Sequence, residues 1–109
     1  MSMYVELLSS TVNERLEELM GDELVDYVIA CRADMLAAAP SGASSAWAAL
    51  ATEIIYDRAL LTLCATQDIE GSAADFTHPA EERTHLELKL YGAGIDVVAL
   101  SRRWPHQGR

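Results

Sequence analysis

Basic charge is what this chain has least of. Eight Lys and Arg stand against seventeen Asp and Glu, a net charge of −9. Nucleic acid is therefore not an expected partner, because phosphate binding needs a basic face. An anionic membrane surface is disfavoured on the same ground. Cysteine is scarce as well. Cys31 and Cys64 are far apart and lack a CxxC spacing, so they form neither a zinc motif nor a redox motif. Each falls on an apolar helical stripe, which predicts buried, reduced thiols packing as small apolar groups. No apolar run approaches the ~20 residues of a membrane span. The opening "MSMYVELLSS" meets Glu6 without a basic stretch ahead of an apolar one. No membrane span and no signal peptide is expected, and a cytoplasmic location is the default.

Complete chemical motifs are missing too. "GAG" at 92–94 lies inside an apolar segment with no Lys-Ser/Thr pair, so it is not a phosphate loop. Asp68, Glu70 and Asp75 lack the regular spacing and the glycine of a calcium loop. Ser41, Ser44 and Ser45 have no histidine nearby in sequence to build a triad. No cofactor is expected. Seven of the eight basic residues are Arg, and Ala is abundant. That bias fits the codon usage of a GC-rich genome and carries no functional weight.

What the chain does have is apolar surface in helical rhythm. Half of its 109 residues are hydrophobic, too many for a disordered chain. One domain over 1–104 is expected, with 105–109 as a flexible tail. Four helices are predicted, at about 3–20, 22–38, 43–67 and 79–103, in an all-α, bundle-like arrangement. In the first, Val5, Leu8, Val12, Leu16 and Leu19 recur at steps of three and four. Gly21 is expected to end it and Asp22 to cap the second. The second carries Leu24, Val28, Cys31 and Met35 in one row and Val25, Ile29 and Leu36 in the next. "PSG" at 40–42 makes a turn. Apolar residues from Trp47 to Cys64 nearly encircle the third helix, which marks it as central.

The last segment admits two readings. "HLELKL" alternates like a strand and "YGAG" could turn, giving a hairpin. Against this, Leu86, Leu90, Ala93, Val97, Leu100 and Trp104 are spaced for a helix, Pro79 suits its first turn and Pro105 stops it. Gly92 and Gly94 cost a helix about 1 kcal/mol each relative to Ala, but the helix, straight or bent near these glycines, is preferred. On that helix Leu88, Tyr91, Ile95 and Val98 form a second, opposed apolar stripe. Arg83, Glu87 and Ser101 lie along a polar edge between the stripes.

Three sets of residues are candidates for function. "THPAEERTH" places His78, Glu82 and His85 along one side of a helix, and "ERTH" has the Glu-x-x-His spacing of carboxylate di-iron bundles. With Glu53 and Asp57 added, the set Glu53, Asp57, Glu82 and His85 is the low-ranked metal alternative. It is ranked low because antiparallel packing leaves Glu82 roughly 18 Å from Glu53. A helix start explains the same residues: Thr77 or His78 caps, and Glu81 and Glu82 favour the positive end. Second, Asp57 interrupts the apolar row Leu50, Ile54, Leu61, Cys64, and Arg32 interrupts the second helix. A structural Arg32–Asp57 pair is expected, since an unpaired buried carboxylate would instead take up a proton. Third, the stripe Leu88, Tyr91, Ile95 and Val98 has no cover within a chain this small and predicts a homodimer interface. The leading expectation is a non-enzymatic protein acting through protein–protein contact, as a homodimer or with another protein. A metal- or small-ligand-binding bundle with hydrolase or oxidase chemistry is the alternative.

Overall fold

The computed structural model describes residues 3–11, 14–38 and 45–103. It is all-α, with no strand among the described residues. Among the described residues six helices follow in order: α1 (Met3–Ser10), α2 (Glu14–Glu18), α3 (Gly21–Ala37), α4 (Ser45–Thr66), α5 (Pro79–Gly92) and α6 (Val97–Arg102). A 3-10 turn at Ala73–Asp75 lies between α4 and α5. The "PSG" turn, Trp104 and the tail expected over 105–109 lie outside the described residues.

Two expected helices are each divided, for identifiable reasons. α1 stops in "SST", where the hydroxyls of Ser10 and Thr11 bond back to the preceding turn. Ser10 Oγ donates to the Glu6 carbonyl at 2.9 Å and Thr11 Oγ1 to that of Leu7 at 2.7 Å. The apolar stripe nonetheless survives the break: Leu8 and Leu16 are buried, and Val5 and Leu19 pack against the core. Gly21 has the left-handed φ expected of it, +56°, but it begins α3 rather than ending its predecessor. Asp22 is not the cap. That position falls to Met20, which makes no side-chain cap bond, and Asp22 and Glu23 sit in the first turn.

The end of α5 is a Schellman motif. Gly94 takes φ +97°, its N–H donates to the Tyr91 carbonyl at 3.0 Å, and the Ile95 N–H donates to that of Leu90 at 2.9 Å. Asp96 then caps α6 by accepting from the Ala99 N–H at 3.0 Å. The last segment is thus helical, not a hairpin, but it is two helices and not one. α4 ends the same way, with Asp68 at φ 59° in the place usually held by glycine and the Ile69 N–H bonded to the Cys64 carbonyl.

α4 is the central helix, packing against α1, α3 and α5. Its burial is confined to one half. Tyr56, Asp57, Ala59, Leu60, Leu61, Leu63 and Cys64 are buried, whereas no residue from 46 to 55 is. α5 turns Arg83, Leu86, Glu87 and Leu90 inward, at spacings of three, one and three. Phe76, in a loop whose acids suggest only solvent, is fully buried. Cys31 and Cys64 are buried and unbridged.

Candidate functional site

Two polar networks join the helices through the core. In the first, α4 presents Glu53 and Asp57 one turn apart, and α5 presents Arg83 to both. Arg83 Nε donates to Asp57 Oδ1 at 2.7 Å and Nη2 to Oδ2 at 2.8 Å, a two-pronged pair. Nη2 also reaches Glu53 Oε2 at 3.2 Å. Tyr4 of α1 donates its hydroxyl to Asp57 Oδ2. Asp57 is 0% exposed. Burial pushes its carboxyl above the usual range, against the pull of Arg83 and Tyr4. Burial and the Asp57 carboxylate likewise push the Tyr4 phenol up. Burial works against the charge on Arg83, but the Asp57 carboxylate outweighs it and the guanidinium is held more firmly protonated.

The second network centres on Glu87 of α5. Its Oε2 accepts from Arg32 Nε of α3 at 2.8 Å and from the Tyr56 hydroxyl of α4 at 2.6 Å. Arg32 Nη1 donates to Ser101 Oγ of α6 at 3.0 Å, and Ser101 Oγ donates to the Val98 carbonyl at 2.9 Å. Burial and then Glu87 push the Tyr56 phenol up. The expected Arg32–Asp57 pair does not form; each has a different partner. The reason lies in α5, whose Arg83 and Glu87, one turn apart, supply one charge of each sign to the core. These two residues and Ser101 are the polar edge of the last segment, and all three are buried. The signal in the sequence was that edge itself, lying directly beside the stripe that faces inward. With both Asp57 oxygens committed and no solvent contact, the arrangement ties helices together and offers no open acid or base.

The four residues of the metal alternative do not converge. Glu53 and Asp57 hold Arg83, while Glu82 and His85 line an open hollow of about 600 Å³ with Asp68, Glu70, Asp75 and Lys89. Among the described residues no three His, Cys, Asp or Glu side chains are grouped to hold a metal ion. His78 is the residue at the cap of α5, with Pro79 in the first turn, but its side chain makes no cap bond.

No family model matches this chain, and neither the search of curated proteins nor that of solved structures found a match.

The predicted stripe is split by the turn after α5. Leu88 and Tyr91 are 65% and 63% exposed. Ile95 and Val98 are half-buried and pack against the core, because Gly94 redirects the chain. Val98 still borders, with Leu88, Tyr91 and Thr84, a hollow of about 270 Å³ that has Glu87 and Asp96 on its walls. Ile95 lines a different hollow, with Val25, Leu63 and Leu100. A further apolar surface is left on the first half of α4, where Trp47 is 71% and Ile55 41% exposed.

Proposed function

We propose that this protein works through protein–protein contact and forms a homodimer through the outer face of α5. The observation that supports this reading is the adjacency of Leu88 and Tyr91, both largely exposed, to an apolar-walled hollow bordered by Val98. Such a face carries projection and recess side by side. A twofold axis beside α5 sets the projecting side chains of each copy into the recess of the other, which is the self-complementarity that a closed dimer requires. Large apolar side chains clustered around a recess are also the kind of surface on which interface energy concentrates.

The test is sedimentation velocity from low to high micromolar concentration. The wild-type protein is expected to shift from monomer to dimer. Leu88→Glu and Tyr91→Glu are expected to remain monomeric while keeping the helical circular dichroism of the wild type. A wild-type protein that stays monomeric at high micromolar concentration overturns the proposal. Ile95→Glu and Val98→Glu are poor probes, because both side chains pack on the core and their loss would lower stability as well.

A further inference from the structure

Arg32, Arg58 and Arg83 each hydrogen-bond from one helix to another, and among the described residues one of the three is left without a counter-charge. Arg32 pairs with Glu87, and Arg83 pairs with Asp57 and Glu53. Arg58 of α4 has no carboxylate partner among the described residues. Its one hydrogen bond runs from Nη2 to the Leu8 carbonyl at the end of α1, at 2.6 Å. Its Nε is buried with no partner. A guanidinium has five N–H donors, so most of those on Arg58 are unused among the described residues, and none of these engages Nη1.

Arg58 lies on the wall of an open hollow of about 550 Å³ between α1, α4 and the loop before α5. Ser9, Thr62 and Ser72 add hydroxyls to the wall, and Leu61, Ala65 and Ala73 add apolar surface. Thr62 Oγ1 already donates, to the Arg58 carbonyl at 3.0 Å. Ser72 Oγ accepts from the Ala74 N–H at 3.2 Å and keeps its own proton for another acceptor. Ser9 makes no hydrogen bond through its hydroxyl among the described residues. Among the described residues no carboxylate lines this hollow. The other three hollows described above each carry at least one: Asp68, Glu70, Asp75 and Glu82 in the first, Asp22 in the second, Glu87 and Asp96 in the third. In a chain of net charge −9, this is the one of the four described hollows where donors and positive charge meet without an acid among the described residues.

We infer that this hollow is a binding site for a small oxyanion, a carboxylate or a phosphate, on a molecule with a short apolar body. Arg58 Nη1, which no described residue engages, offers charged N–H donors of the kind such anions accept. Ser9 and Ser72 supply two further donors. Leu61, Ala65 and Ala73 take the apolar body. The overall negative charge does not forbid this, because at physiological ionic strength charges more than about 8 Å away are largely screened. The site shares no residue with the outer face of α5, so its fate is independent of the dimer.

The test is a titration of ¹⁵N-labelled protein followed by NMR. Inorganic phosphate and butanoate are added separately, each against sodium chloride at matched ionic strength. Saturating shifts at Gly71, Ser72 and Ala73 and at the Arg58 side chain, absent with chloride, are expected. Which of the two anions saturates at lower concentration names the class of ligand. Arg58→Gln is expected to weaken binding by about tenfold or more, the loss of a charge-assisted pair. Arg58 also holds the end of α1, so Ser72→Ala serves as a second variant that leaves that contact intact; a several-fold weakening is expected. Shifts that follow chloride equally, or an affinity unchanged in both variants, overturn the inference.

Discussion

At Asp57 a carboxylate with no solvent contact meets a guanidinium and a phenol, and the cost of removing it is set by what stays behind. Asp57→Ala leaves Arg83 charged in the core with only Glu53 to face it. A loss of about 3–5 kcal/mol is expected in urea unfolding, the range for breaking a buried pair from one side. Glu53→Ala leaves the two-pronged pair intact and removes a side chain that is 38% exposed, so a loss below about 1 kcal/mol is expected. Equal losses for the two variants would contradict the assignment of Asp57 as the main partner. A second prediction concerns pH. Burial pushes the Cys31 and Cys64 thiols from 9.0 up to about 11. Below pH 9 both are protonated whether the chain is folded or not. Between pH 9 and 11 the unfolded chain releases these protons and the native one retains them, so stability falls as pH rises through that window. The half-buried phenol of Tyr4 and the buried one of Tyr56, also raised, act in the same direction. A urea midpoint that is flat from pH 9 to 11 would contradict this. That Asp57 is buried was legible, because it interrupts an apolar row at helical spacing. Its partner was not, because periodicity shows which residues share a face and not which helix docks on it. Arg83, Glu87 and Arg32 sort themselves only once α5 is placed against α3 and α4.

The helices themselves were more legible than their ends. α3 and α4 fall within one or two residues of the segments read from apolar spacing, since long periodic runs admit few alternatives. The misreading fell on the glycines near 92–94, weighed as penalties inside one helix. Gly94 is instead a stop signal, and Asp96 two residues later is a start signal. The two glycines therefore respond oppositely to alanine. Gly92 lies in α5 without a left-handed φ and with open space around its Cβ position, so Gly92→Ala is expected to raise stability by up to about 1 kcal/mol. Gly94 has equally open surroundings but φ +97°, so Gly94→Ala pays backbone strain and is expected to cost about 1–2 kcal/mol. Thermal unfolding of the two variants decides the matter. Loss of stability in both would mean that α5 ends before Gly92, and gain in both would mean that α5 and α6 are one continuous helix.

On the scale of the whole molecule, hydrophobic content and charge oppose one another. The chain has more apolar surface than its core uses. Leu88 and Tyr91 stand out on α5, and Trp47 and Ile55 on the first half of α4. The sequence located part of this excess, at Leu88 and Tyr91, but not the part on α4, because an apolar helix reads the same whether it is covered over its whole length or over half. If two copies meet through α5, each brings a net charge of −9 toward the other. The long-range part of that repulsion is reduced as added salt shortens the screening length from ~30 Å at 0.01 M to ~8 Å at 0.15 M. Apolar contacts between Leu88, Tyr91 and Val98 are not weakened by the same change, and salts that are excluded from protein surfaces strengthen them. The dimer is therefore expected to tighten severalfold as sodium chloride is raised over that range, measured by sedimentation equilibrium. Leu88→Glu adds a further negative charge to the contact and removes an apolar one, so it should abolish the dimer at low salt and not be rescued at high salt. Trp47→Lys, on the other uncovered surface, should leave the salt dependence of the dimer in place. A dimer that loosens as salt rises would mean that ion pairs, not the apolar face of α5, hold the two copies together.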